Sequence, residues 1–142
     1  MANQPVPRHW PPVSTLVAID KTLFLETESE TGGIVRYGVP IAAYPSKAGK
    51  VIVNSPGSGE LKDGREDRWR NLGLYLQERG LASLVTFNAP RPDFQVQLEW
   101  EPYSYQGASW NKILIESLSH TIDWSLENAK ELCGNASPDI YL

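Results

Sequence analysis

The apolar run Val51-Ile52-Val53 passes directly into the turn Ser55-Pro56-Gly57-Ser58-Gly59, and a helix-like stretch, a second apolar strand, a second helix-like stretch and a last strand follow it. Few folds accommodate that order. Unbroken apolar strands need cover on both faces, and strands separated by helical crossovers pair in parallel, so the chain is constrained to an α/β sheet with helices packed on it. In such sheets ligands bind outside the carboxyl ends of the strands, which directs attention to the glycine-rich turn.

The remaining elements fit this frame. Thr15–Leu25 and Ile34–Tyr44 are rich in β-branched and apolar residues and flank a polar turn at Glu26–Gly33, the pattern of an antiparallel hairpin. Asp63 followed by Glu66 has the spacing of a capping box, and Trp69, Leu72 and Leu76 lie on one helical stripe. A helix is therefore predicted over about Gly64–Arg79, with Gly80 as its left-handed terminator. Ala82–Phe87 is the next strand, and the prolines of Asn88–Pro92 end it. Ile115, Leu118, Ile122, Leu126, Ala129 and Cys133 then predict a long helix capped by Ser109 and closed at Gly134, before a strand at Asp139–Leu142. The expected architecture is a mostly parallel sheet with an antiparallel hairpin at one edge, in one domain spanning 15–142. Residues 1–14, with four prolines, read as an extended arm.

Composition narrows the function classes. A chain of 142 residues that is 41% hydrophobic has enough apolar material for one core. Thirteen basic and seventeen acidic side chains, unclustered, give a net charge of −4, so neither nucleic acid nor an anionic membrane surface is an expected partner. One cysteine forms no internal disulfide, and the first residues have no apolar core of a secretion signal; a cytoplasmic location is expected.

Phosphate-binding templates fit poorly. Lys62 stands where the third glycine of a dinucleotide fingerprint belongs, and Arg65-Glu66 replace the Lys-Ser/Thr of a P-loop. His9, His120 and Cys133 lie far apart and lack metal-ligand spacing or an oriented nucleophile–base arrangement, so no metal or cofactor is expected. Asn135-Ala136-Ser137 matches a glycosylation triplet that Pro138 disfavours. Asp63, Glu66 and Asp67 suit a helix N-terminus electrostatically. Trp100, Tyr103, Tyr105 and Trp110 are read as packing the long connection 94–107 onto the sheet, with an apolar ligand pocket as the alternative.

The order of elements, together with Ser55–Gly59 after the third strand, resembles the N-terminal half of the α/β-hydrolase fold over nearly the whole chain from Thr15 onward. That resemblance implies a serine hydrolase acting on an ester or amide bond, with Gly57, Ser58 and Gly59 as oxyanion-hole candidates and the Ser58 amide as the donor. Ser55-Pro56 replaces the family's histidine at this turn. The resemblance also implies a Gly-x-Ser-x-Gly elbow beyond the strand at Asp139–Leu142, so residues 1–142 are expected to contain no catalytic nucleophile, acid or base and to be inactive alone. Two other classes stay open: a binding or interaction protein that self-associates through Asp139–Leu142, and a nucleotide-binding α/β domain.

Overall fold

The computed structural model describes residues 18–28, 32–57, 60–89 and 110–142. The expected arm at 1–14, the first residues (15–17) of the expected strand Thr15–Leu25, and the connection 94–107, with its aromatic residues up to Tyr105, lie outside them. In chain order the elements are β1 (Ile19–Glu28), β2 (Ile34–Tyr44), β3 (Lys50–Asn54), α1 (Arg68–Arg79), β4 (Ser83–Phe87), α2 (Trp110–Glu127), α3 (Ala129–Cys133) and β5 (Asp139–Tyr141). They form one five-stranded sheet in the order β1-β2-β4-β3-β5.

The sheet is mixed rather than mostly parallel. β3 runs parallel to β4 and β5, but β2 is antiparallel to both β1 and β4. The hairpin is thus continuous with the sheet through β2, and only Ile41–Tyr44 of that strand meets β4. Pro40 marks the point of departure. Its carbonyl accepts the Asn88 N–H at 2.9 Å just beyond the end of β4, and without an N–H it cannot return the second bond of that antiparallel pair, so the ladder to β4 stops there. Past Pro40 the hairpin continues alone, and β1 extends to Glu28, with Glu26 pairing Arg36 at 2.8 Å across the strands.

Helices cover both faces. On one, Leu74 and Leu76 of α1 pack on Ala42, Tyr44 and Leu84. On the other, Ala129, Leu132 and Cys133 of α3 join Ala43, Val51, Val53 and Val85. Ile113 of α2 meets Tyr37, Val39, Ile41 and Phe87 beside them. Tyr37 Oη and Thr27 Oγ1 donate to the two oxygens of Glu116 at 2.9 and 3.1 Å, tying the projecting hairpin to α2.

Both helix predictions need correction. A 3-10 turn, Arg65–Asp67, precedes α1, and no side-chain cap exists there. Instead the Asp63 carbonyl accepts the N–H groups of Trp69 and Arg70 at 2.9 and 3.2 Å. The chain reaches that position by left-handed conformations at Gly64, Glu66 and Asp67. The second helix is broken at Asn128 into α2 and α3, and the predicted stripe is only partly its buried face: Leu118, Ile122, Ala129 and Cys133 pack on the core, whereas Ile115 is 65% and Leu126 44% exposed. Ser117, Thr121 and Ser125 are buried in their place, each hydroxyl donating to the carbonyl four residues back at 2.7 to 2.8 Å. Polar groups satisfied within their own helix can be buried at little cost, and their small size suits close packing on a sheet. Gly80 and Gly134 do terminate helices in the left-handed region, as the sequence indicates.

Candidate functional site at the carboxyl ends of the central strands

β3 and β4 are parallel neighbours, yet the helices that follow them pack on opposite faces. The carboxyl ends of these two strands therefore define a switch point, where diverging connections leave a crevice. At its floor Asn54, the last residue of β3, donates from Nδ2 to Thr86 Oγ1 at 3.2 Å. Asn88, just past β4, is buried and accepts the Lys62 N–H on Oδ1 at 2.7 Å, while the Ala89 N–H reaches the Glu60 carbonyl at 2.9 Å. The two loops are thereby held together.

Of the expected oxyanion-hole residues, Gly57 is exposed at this end of the sheet; Ser58 and Gly59 lie outside the described residues. The Gly57 amide is already engaged. It donates to Glu60 Oε1 at 3.0 Å, and the Glu60 N–H returns a bond to the Gly57 carbonyl at 2.8 Å, closing a four-residue turn. The other carboxylate oxygen, Oε2, accepts from Arg68 at 2.6 Å. Burial alone would raise the Glu60 pKa, but the Trp69 indole N–H, the Gly57 amide and Arg68 outweigh it and hold the carboxyl below its usual value. The Arg68 guanidinium also stacks on the Trp69 ring, 4.7 Å from its centroid.

The local sequence explains why Trp69 can sit there. Gly64 presses against its ring so closely that a Cβ would clash with it, and the positive φ of 79° is one that glycine adopts freely. The indole Nε1 is buried and faces Glu60 without meeting any acceptor in hydrogen-bond geometry among the described residues.

The other candidates do not converge on this crevice. His120 is on the exposed side of α2. Cys133 is buried, donates from Sγ to the Ala129 carbonyl at 3.2 Å, and lies at the opposite end of the sheet, where its own carbonyl accepts the Gly49 N–H ahead of β3. Among the described residues no three His, Cys, Asp or Glu side chains are grouped to hold a metal ion. No described helix is long and apolar enough to cross a membrane.

Sequence reading missed Glu60, Arg68 and Trp69. The signal for Glu60 was its place three residues after a turn glycine, the spacing at which a carboxylate reaches back to an amide; Arg68 and Trp69 carry no such local mark. A second concavity, of about 420 Å³, was also unforeseen; Asp20, Tyr44, Lys62, Asp63 and Arg70 are among the residues lining it on the α1 side. Burial, with the carboxylates of Asp63, Asp20 and Asp67 in support, pushes the Tyr44 phenol up to about 12 against the opposing effect of Arg70.

Fold and crevice together define a mixed α/β domain with helices on both faces and a site region at the ends of its central parallel strands. No family model matches the chain, and no curated protein does. Among solved structures it is similar to a homoserine O-acetyltransferase from Staphylococcus aureus, with 15% identity and a TM-score of 0.47. That alignment covers 80% of this chain and 36% of the other, so the chain spans about a third of the length of that enzyme. The likeness is a distant one.

Proposed function

We propose that this chain forms the front portion of a serine hydrolase of α/β-hydrolase type, supplying the sheet and the Ser55–Gly59 turn to a site for an ester or amide, and that residues 1–142 are inactive alone. The observation that supports this reading is the place of Ser55–Gly57 just past the carboxyl end of β3, at the β3/β4 switch point, where Gly57 is exposed although its amide is held by Glu60. Backbone donors there would act on a developing oxyanion, each worth about 3 kcal/mol in a preorganised site. The nucleophile, base and acid come from chain outside these residues.

The test is to read the coding sequence beyond the Leu142 codon and to treat both the 142-residue chain and the protein from its source with a fluorophosphonate probe. An in-frame Gly-x-Ser-x-Gly, with labelling of the source protein only, is expected. A stop codon with no labelling overturns the hydrolase reading. Hydrolysis of p-nitrophenyl esters by the 142-residue chain, abolished by a substitution within it, overturns the inactivity.

A second reading rests on β5, which among the described residues pairs with β3 alone and ends at Tyr141, 50% exposed, followed by Leu142, 78% exposed. An edge strand of this kind pairs readily with another chain, as an interaction protein would use it. Sedimentation velocity that shows a monomer throughout the micromolar range removes this reading.

A further inference from the structure

Glu60 is held in a manner suited to a bound carboxylate. One oxygen takes the Gly57 N–H at 3.0 Å, the other takes Arg68 at 2.6 Å. The Trp69 indole N–H, buried and without an acceptor in hydrogen-bond geometry, faces the same group. A buried donor left unmet is costly, and it marks where a ligand oxygen would gain a bond that Glu60 does not fully make. Trp69 lies against Gly64 and under the Arg68 guanidinium, so these two side chains have a contact that does not depend on Glu60.

We propose that Gly57 N–H, Arg68 and Trp69 form a carboxylate-binding subsite beside the β3/β4 crevice, filled in this state by the chain's own Glu60 and open to a small external carboxylate that displaces it. The arrangement suits a carboxylate, because each of its two oxygens has its own donor. Glu60 acts as an internal competitor: while it occupies the subsite, the apparent affinity for an external ligand is lowered by the fraction of time the subsite is open. This inference stands apart from the hydrolase reading, since it needs neither Ser58 nor a nucleophile.

The experiment is a titration of the full chain with acetate at pH 7, following the Gly57 amide and Trp69 indole resonances by ¹H–¹⁵N NMR. Glu60→Ala is expected to bind acetate saturably at both resonances, and the unsubstituted chain to do so roughly tenfold more weakly. Arg68→Gln in the Glu60→Ala background is expected to weaken binding about tenfold again. Glu60→Gln keeps the side-chain volume and serves if the alanine variant does not fold; it should bind acetate more tightly than the unsubstituted chain. Equal affinity with and without Glu60, or no saturable shift in a folded variant, overturns the proposal. So does saturation in the variants with none in the unsubstituted chain, which would make Glu60 a fixed structural cap.

Discussion

Gly73 of α1 lies against the ring of Tyr44 so tightly that a Cβ at this position would come within 3.0 Å of three of its carbons. Helix and sheet meet at a single missing side chain. Tyr44 is buried and packs with Leu84 and Leu74.

Gly73→Ala is therefore expected to destabilise the fold by about 1–3 kcal/mol, the usual cost of overpacking, even though alanine is the better helix former. Urea unfolding checks this. Pairing it with Tyr44→Leu should recover part of the loss, because the two positions share one space.

Ser83 ties three segments at the amino end of β4. Its Oγ accepts the Ser46 N–H at 2.7 Å and faces the carbonyls of Ser46 and Leu132 at 2.9 and 2.7 Å, all buried. Ser83→Ala removes these bonds but orphans none of the groups, because the Ser46 N–H keeps the Leu132 carbonyl at 2.9 Å and the Ser46 carbonyl keeps the Ala48 N–H at 2.8 Å; a cost of about 0.5–1.5 kcal/mol is expected. Equilibrium denaturation measures it, and hydrogen exchange at the Ser46 amide should quicken.

Tyr44 also gives an alkaline signature. Its pKa is raised from 10.0 to about 12, so the folded state retains a proton that the unfolded chain releases. The associated stability is complete below pH 10 and is lost as pH rises through 12. Absorbance titration at the tyrosinate band should show a transition near pH 12 that Tyr44→Phe removes.

Glu60 gives the opposite sign. Its pKa lies below the ordinary 4.5, so the ion pair and the amide bond stabilise the fold above that pH and fade as pH falls through the lower folded value. The melting-temperature gap between the unsubstituted chain and Glu60→Gln should be widest near neutrality and close in acid. A gap independent of pH would mean that the carboxylate's charge is not what holds the turn.

Local structure was legible in the residues themselves. β2 runs over Ile34–Tyr44 and β3 begins at Lys50 because β-branched runs between turn residues leave few alternatives, and Gly80 and Gly134 end helices because only a residue at ease with positive φ closes them there. The Gly57 turn was legible for the same reason, as a property of neighbouring residues. The tertiary structure alone decided that β2 joins β4 antiparallel, that α2 buries Ser117, Thr121 and Ser125 while Ile115 faces out, and that Arg68 and Trp69 gather on Glu60. These outcomes depend on which distant surfaces are covered and where polar groups find partners, and hydrophobic periodicity does not register a hydroxyl that satisfies itself on its own helix.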